Sequence, residues 1–197
     1  MNDDNRPRQV VLYQLLSLDG VAEDPGEGDW LVDADERLVD NLARVIERQD
    51  TVLLGRGTFD MWAGHWPTSD MQPFADFING TRKVVFTSSP TGRDWSGATY
   101  VDEPAGPYVA RLKQEPGGDI GIHGSIRLAQ SLLREGLVDE LRLVVAPTLA
   151  GSGRRLFEDT GTLQRFELVD VDRSGHCLLL GYRLRPHGPS SRSGQAS

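Results

Sequence analysis

One continuous stretch, Asp119–Phe157, constrains the fold of this 197-residue chain more than any other. A short apolar strand ends at Ile122, and the tight turn His123–Ser125 follows it. Apolar residues then recur at helical spacing from about Ile126 to Glu135, and Val138–Val145 has the pattern of a second buried strand. This order predicts a sheet in which strands and helices alternate along the chain.

The turn at Gly124 has the features of an anion-binding site. Ser125 is a suitable N-cap, because its hydroxyl can accept a hydrogen bond from an amide of the first helical turn. Gly136 fits the left-handed position that follows a helix. A strand, a glycine turn and a helix N-terminus together present free amides and a positive dipole end to a phosphate. The alternative is a glycine that serves packing alone, since short glycine motifs occur in many α/β domains.

The composition predicts a globular, acidic protein. Hydrophobic residues make up 38% of the chain and charged residues 25%, and the formal net charge of −8 argues against nucleic acid or an anionic membrane as the main partner. Cys177 is the single cysteine, which excludes an internal disulfide and a cysteine-based metal cluster, and no metal is expected. The N-terminus has no apolar signal segment, and no apolar run approaches the roughly 20 residues that span a bilayer. We therefore expect a cytoplasmic protein.

The remaining segments alternate between strand and helix patterns. Strands are predicted at Val10–Leu16, Thr51–Leu54, Arg82–Phe86 and Ala98–Val101, with an antiparallel pair at Arg165–Asp172 and His176–Leu184. Helices are predicted at Asp33–Arg48, Met71–Asn79 and Gly106–Glu115, with a short helix that begins at Phe59. The chain thus divides into a flexible N-terminus (1–8), one domain (9–185) and a tail rich in Ser, Gly and Pro (186–197) that is expected to be disordered.

Four turns are predicted to meet at one edge of the sheet. Asp19, Gly55, Thr87 and Gly124 each follow a strand, and ligands of such sheets bind outside the carboxyl ends of the strands. The predicted fold is a mostly parallel central sheet with helices on both faces. The C-terminal hairpin adds an antiparallel edge.

Five segments, taken in order, resemble one known family. They are SLDG at Ser17–Gly20, LLGRGTF at Leu53–Phe59, VVFTSSP at Val84–Pro90, IHGSIRLAQSLL at Ile122–Leu133 and GLVDELRLVVAPTLAGSGRRLF at Gly136–Phe157. Together they resemble the dihydrofolate reductase-like fold, and specifically the reductase domain of the riboflavin-biosynthesis deaminase-reductase. The resemblance extends from Val10 to about Arg185 and implies a single-domain α/β reductase.

The family uses NADPH, and the resemblance implies where this cofactor binds. Gly55, Arg56 and Thr58 match the turn that meets the pyrophosphate and the adenosine 2′-phosphate. Thr87 and Ser88 match a hydroxyl-bearing turn that also touches the 2′-phosphate. Gly124, Ser125 and Ile126 match the turn and helix start that hold the pyrophosphate. His123 stands where family members usually have glycine. Its side chain either bonds to the cofactor or the substrate, or is a packed or solvated histidine.

The resemblance also implies a substrate site with its own candidate residues. Asp35 falls where dihydrofolate reductases have their substrate-binding carboxylate, which can relay a proton to a heterocycle. The alternative is that Asp35, like Asp33, caps the helix that follows. Trp30 is either a core residue or part of a pocket wall. The other candidates are Asp19 as a second catalytic carboxylate, Trp62 and Trp66 as substrate-binding or core aromatics, and Arg154 and Arg155 as ligands of a substrate phosphate.

These expectations describe an NADPH-dependent reductase of a small heterocyclic substrate, in which the cofactor supplies most of the chemistry. The nearest named activity is 5-amino-6-(5-phosphoribosylamino)uracil reductase of riboflavin biosynthesis. Two alternatives stay open: reduction of dihydrofolate or another pterin, and a nucleotide-binding module without catalysis. The resemblance further implies a homodimer.

Overall fold

The structure, a computed structural model, describes residues 6–26, 28–31, 34–89, 92–158, 161 and 163–185. Within these ranges the strands are β1 (Val10–Leu16), β2 (Gln49–Gly55), β3 (Arg82–Phe86), β4 (Ala98–Val101), β5 (Asp119–His123), β6 (Glu140–Val145), β7 (Phe166–Ser174) and β8 (Cys177–Leu184). The helices are α1 (Glu36–Ile46), α2 (Arg56–Trp62), α3 (Phe74–Gly80), α4 (Ala105–Leu112) and α5 (Ile126–Arg134), with a 3₁₀ turn at Trp66–Thr68.

The described strands form one sheet in the order β4-β3-β2-β5-β1-β6-β8-β7. The strands from β4 to β6 run parallel to one another, whereas β8 runs antiparallel to both of its neighbours. The predicted fold, with its mostly parallel sheet and C-terminal antiparallel hairpin, is therefore confirmed. Helix α2 differs from the prediction, because it begins at Arg56, directly after β2, rather than at Phe59.

Helix α5 forms and ends as its sequence pattern predicts. Ile126, Ala129, Leu132 and Leu133 are all buried, as expected for residues on one helix face. Gly136 follows the helix with a φ of +67°, a left-handed conformation that glycine adopts without steric cost. The helix therefore packs one apolar side on the sheet and leads the chain directly into β6.

The helices cover both faces of the sheet. Helices α4 and α5 pack on one side, where Leu132 joins a large core cluster with sheet residues such as Ile122. Helices α1, α2 and α3 pack on the other side, where Phe59 and Trp30 belong to two smaller clusters. We call these two sides the α4–α5 face and the α1–α3 face.

The N-terminal residues that the structure describes are anchored to the start of the sheet. The Arg6 guanidinium pairs with Asp119 at 2.6 Å, and Arg8 is buried, with hydrogen bonds to Gly118 O and Thr51 Oγ1. Each guanidinium therefore finds an acceptor in the domain. Residues 1–5, Asp33 and the predicted tail 186–197 lie outside the described residues. Among the helices that are described, none is long and apolar enough to cross a membrane.

Candidate active site

The carboxyl edge of the parallel strands collects the turns that the sequence singled out. Asp19 follows β1, Gly55 ends β2, Thr87 follows β3 and Gly124 follows β5. These strands are consecutive neighbours in the order β3-β2-β5-β1, and neighbouring strands lie about 4.8 Å apart. The four turns are thus close enough to contact one extended ligand.

The turns after β2 and β5 are joined by a hydrogen bond. The Gly55 amide donates to the Ser125 hydroxyl at 3.0 Å. The predicted cap at Ser125 is wrong, because its hydroxyl makes no capping bond to α5 and is used by Gly55 instead. Gly124 has a φ of +76°, and a Cβ atom there would lie 3.1 Å from the Trp62 ring. The left-handed conformation therefore favours glycine at this turn, and the Trp62 ring leaves little space for a larger residue. Among the described residues the one cis peptide bond precedes Pro73, so the bond before Gly124 is trans.

A cavity of about 550 Å³ opens at the carboxyl ends of β3 and β4. Its lining includes Arg56, Thr87 and Ser88, which the family resemblance assigns to a phosphate of the cofactor, together with Asp102 and Glu103. The guanidinium and the hydroxyls suit an anion, whereas the carboxylates suit hydroxyl groups. The cavity can therefore hold a group that presents both, such as a phosphorylated ribose. The two acidic residues were missed as site candidates, although their position directly after a predicted strand was a usable signal.

Arg56 is partly engaged at this cavity. Its Nε donates to Asp60 Oδ2 at 2.5 Å and one terminal nitrogen donates to Ser89 O at 3.2 Å, while about 39% of its side chain is exposed. An incoming phosphate would have to share this guanidinium with Asp60. Thr58 lies on the same helix turn, half-buried.

His123 is buried on the α1–α3 face beside Gly124. Its Nε2 lies 2.7 Å from Gln49 Oε1, and the bond passes over Gly121, where a Cβ atom would overlap the Gln49 side chain. The remaining polar atoms, His123 Nδ1 and Gln49 Nε2, have no hydrogen-bond partner among the described residues. Burial lowers the pKa of His123 to about 3, so the ring is neutral. The solvated alternative for His123 is therefore wrong. Gln49 was missed, since nothing in the sequence of a strand start indicates a polar bond to a residue 74 positions away.

Aromatic rings surround His123. Phe74, Phe77 and Tyr13 lie 5.2, 5.8 and 5.8 Å from it between ring centroids. Trp62 and Trp66 continue this cluster, since both pack edge-on against Phe74. The Trp66 indole nitrogen is buried with no partner among the described residues. The cluster therefore forms an aromatic wall with polar atoms that lack partners, next to the Gly124 turn.

Asp19 holds two loops together. Its carboxylate accepts from the Ser17 hydroxyl at 2.7 Å and from the amides of Ala150 and Gly151 at 3.0 and 3.1 Å. The hydroxyl bond from Ser17, followed by these amides, lowers the pKa of Asp19 to about 2. The carboxylate is thus ionised at neutral pH, and it can orient a group but has no proton to donate.

Asp35 has the contacts of a helix cap. Its carboxylate accepts from the Arg37 amide at 3.0 Å, from the Ser174 hydroxyl at 2.7 Å and from the Gly175 amide at 3.0 Å. The Ser174 bond is the largest cause of a lowered pKa. These donors belong to α1 and the β7–β8 turn, which lies three strand spacings, on the order of 14 Å, from β5. The contacts support the capping alternative over a place in the pocket.

The other substrate-site candidates have structural partners. Trp30 is buried, and its indole donates to Glu23 O at 3.0 Å, so the core alternative holds for this residue. Arg154 donates through Nε to Glu23 at 2.6 Å, and Arg155 donates to Asp19 O at 2.8 Å. The two arginines join the loop after β6 to the loop after β1, and binding of a substrate phosphate would compete with these bonds. Within the described ranges no three His, Cys, Asp or Glu side chains gather to form a metal site.

A parallel sheet with this strand order, glycine turns at its carboxyl edge and a C-terminal antiparallel hairpin defines a protein of the dihydrofolate reductase-like class. The chain belongs to the RibD C-terminal domain family, whose sequence profile matches residues 8–180. It is 31% identical to the uncharacterized protein YwjB of Bacillus subtilis over 176 residues, which is 89% of this chain and 97% of YwjB.

Solved structures share the fold at lower sequence identity. A protein from Shewanella sp. PV-4, whose given name ties it to riboflavin biosynthesis, matches with a TM-score of 0.74 at 20% identity, covering 90% of this chain and 99% of that one. The diaminohydroxyphosphoribosylaminopyrimidine deaminase/5-amino-6-(5-phosphoribosylamino)uracil reductase of Thermotoga maritima matches with a TM-score of 0.64 at 17% identity, covering 91% of this chain and 57% of that one. At these identities the likeness establishes the fold alone.

Proposed function

We propose that this protein is an NADPH-dependent reductase of a small heterocyclic substrate. The observation that carries the proposal is the carboxyl edge, where Gly55 and Ser125 are joined by a hydrogen bond and a neighbouring cavity is lined by Arg56, Thr87 and Ser88. Membership of a family of reductase domains supports the same conclusion. When bound, NADPH supplies the hydride, and the protein orients the two reactants.

The residues at this edge fit a dinucleotide phosphate. Gly124 gives the backbone its left-handed turn, and a Cβ atom built on Gly57 meets no atom within 4 Å, so the start of α2 is open to a ligand. Ser125 fixes the spacing of the two turns through its bond to Gly55. Arg56 would hold the 2′-phosphate by charge-assisted hydrogen bonds, as guanidinium groups do for phosphates.

The substrate side is the aromatic wall of the α1–α3 face. Trp62 and Trp66 offer flat, partly exposed apolar surface, and the buried, neutral His123 behind them has one ring nitrogen without a partner among the described residues. Such groups suit a planar ring with a polar edge, for which the riboflavin-pathway aminouracil is the leading candidate. Dihydrofolate or another pterin is the second candidate. A substrate screen that follows the loss of NADPH absorbance separates them, and cofactor binding without turnover on any heterocycle would indicate a binding module.

We propose further that the protein is a cytoplasmic homodimer. Leu168, Val171 and Leu178 are 51, 59 and 46% exposed. They lie on one side of the β7–β8 hairpin, the α4–α5 face, because their cross-strand neighbours include Leu180 and Tyr182 of that core. Monomeric proteins rarely expose apolar patches of this kind, and a second copy related by a two-fold axis is the commonest cover. Light scattering should give the mass of a dimer, and Val171→Asp should shift it toward the monomer.

Gly124→Val tests the cofactor site. We expect NADPH affinity to fall at least about tenfold, near 1.4 kcal/mol, because a side chain at this position presses on the Trp62 ring and displaces the turn that would meet the pyrophosphate. Gly136→Val is the matched control, since Gly136 has the same left-handed φ of +67° but lies at the other end of α5. Fluorescence titration of both folded variants is the measurement. Normal NADPH binding by Gly124→Val, or an equal loss in the two variants, would contradict the assigned site.

A further inference from the structure

A second cavity, of about 480 Å³, lies at the opposite edge of the sheet. It is bounded by α1, by residues at the amino ends of β1, β5 and β6, by the carboxyl end of antiparallel β8 and by Asp170 of β7. Strand β1 spans seven residues, so the two edges are separated by about 20 Å. The cavity is therefore distinct from the proposed cofactor site. We call it the arginine pocket after the residues that dominate its lining: Arg6, Arg44, Arg48, Arg142 and Arg183.

The charge of the arginine pocket is opposite to that of the protein. Its five arginines face two aspartates and one glutamate, so the lining has a formal charge of +2, whereas the whole chain has −8. This local excess of positive charge is unexpected, because an acidic protein has many carboxylates that could neutralise it. The pocket thus concentrates anions that the rest of the surface repels.

The ion pairs inside the pocket leave α1 with unneutralised charge. Asp119 pairs with Arg6 at 2.6 Å and reaches Arg48 only at 3.7 Å. Glu140 pairs with Arg142 at 2.9 Å. Arg44 has no ion pair within the part of the chain that the structure describes. Arg44 lies in the last turn of α1 and Arg48 lies two residues beyond its end; both line the pocket, where their like charges repel each other.

We propose that the arginine pocket binds a compact anion with two or more negative charges, namely the phosphate or diphosphate group of a small molecule. Guanidinium groups match the oxygen geometry of phosphates through paired hydrogen bonds. A bound dianion would neutralise the excess charge and relieve the repulsion between Arg44 and Arg48. The side chains of Val11 and Val45, which also line the pocket, provide apolar surface for the rest of such a molecule.

Calorimetric titration with inorganic pyrophosphate tests this site. We expect saturable binding with a Kd of about 1 mM or tighter. The double variant Arg44→Gln/Arg48→Gln should weaken it at least about tenfold, because it removes the unpaired charge of Arg44 and the weakly paired charge of Arg48. Arg37→Gln is the matched control: Arg37 is exposed on the same helix but does not line the pocket, and it should bind as the wild type does.

The same titration on Arg56→Ala separates the two edges of the sheet. Binding kept in Arg56→Ala and lost in the Arg44→Gln/Arg48→Gln variant supports the arginine pocket, whether or not NADPH binds at the other edge. Three results overturn the proposal: no saturable binding by the wild type, an equal loss in Arg37→Gln, or a loss in Arg56→Ala with none in the double variant.

Discussion

The two faces of the sheet are built from different kinds of residue. The fully buried core on the α4–α5 face consists of Val, Leu, Ile and Ala side chains. The α1–α3 face buries aromatic rings and polar groups instead, among them Phe59, Trp95, Tyr13 and His123. One sheet thus has an aliphatic side and an aromatic, polar side.

The faces also differ in how completely their polar atoms are paired. Four of the five buried side-chain atoms without a partner in the described residues belong to the α1–α3 side, on Gln49, Asp60, Trp66 and His123, and the fifth is on Gln14. Lys83 on the same face is fully bonded, since its Nζ donates to the carbonyls of residues 78, 79 and 81 at the end of α3. Unpaired polar atoms are costly, and natural proteins keep them mainly where function uses them. We therefore expect the α4–α5 face to contribute mainly stability, and the α1–α3 face to contribute the polar and aromatic groups of the proposed substrate side.

The largest expected effect is a loss of stability on the α4–α5 face. Leu132 is 0% exposed, and Leu132→Ala should destabilise the protein by about 3 kcal/mol through the cavity it leaves. NADPH affinity of the folded variant should stay at the wild-type value. Urea unfolding and fluorescence titration measure the two quantities. Leu149→Ala is the control, because Leu149 is 75% exposed and its truncation should change stability by less than about 0.5 kcal/mol. A large loss of NADPH affinity in Leu132→Ala would break the division between the faces.

The next effect is a pH dependence that originates on the α1–α3 face. The pKa of His123 falls from 6.5 to about 3 on burial, so between these pH values the unfolded chain takes up a proton that the folded chain excludes. Stability from this residue is complete above pH 6.5 and declines as the pH falls, by about 1.4 kcal/mol per pH unit, or about 2 kcal/mol at pH 5. Urea unfolding at pH 7 and pH 5 should show this extra loss for the wild type relative to His123→Phe.

The exposed His65 provides the control for this pH experiment. His65→Gln should keep the full pH dependence of the wild type, because the change leaves the buried His123 ring in place. If His123→Phe loses stability between pH 7 and pH 5 as steeply as the wild type, His123 is not held neutral in the folded protein.

The aliphatic face was the more predictable part of the molecule. Apolar runs such as Val10–Leu16 and the helical spacing of Ile126, Ala129 and Leu132 depend on local periodicity, which a single sequence displays directly. The location of the turns at the carboxyl edge could be predicted from the same alternation of strands and helices, because the carboxyl ends of parallel strands lie at one edge of a sheet. The turns at Gly55 and Gly124 could therefore be assigned to one edge of the sheet from the amino-acid sequence alone.

The contacts within the site were less predictable. The Ser125 hydroxyl had a local partner available in α5, but it bonds to Gly55, 70 positions away. The bond between His123 and Gln49 depends on Gly121, which leaves room for it between two strands. Such contacts arise from strand order and register, and no residue spacing in the chain encodes them. For the same reason the arginine pocket, which gathers residues from the chain start, α1 and five strands, has no signature in the sequence.

Cofactor choice sharpens the assignment of the α1–α3 face. Arg56 starts α2 on that side and lines the cavity at β3 and β4. Arg56→Ala should weaken NADPH binding by about 1.5 kcal/mol, the lower end for hydrogen bonds to charged groups, because Asp60 already shares the guanidinium. NADH binding should barely change, since NADH lacks the 2′-phosphate. Titration of both cofactors is the measurement. Equal losses would mean that Arg56 holds the pyrophosphate or the fold, and no loss would remove it from the site.

The smallest expected effect tests where the functional part of the α1–α3 face ends. Asp35 caps α1 and accepts from Ser174 and Gly175, so Asp35→Ala should cost about 1 kcal/mol of stability. Asp35→Asn should cost less, because an asparagine oxygen caps a helix as well as a carboxylate does. Both variants should keep the wild-type kcat and KM on the best substrate. A carboxylate that binds or protonates the substrate would behave differently, since Asp35→Asn would lose turnover while its stability stayed close to that of the wild type. Steady-state kinetics and urea unfolding of the two variants therefore decide whether the substrate site extends to the start of α1 or is confined to the aromatic wall.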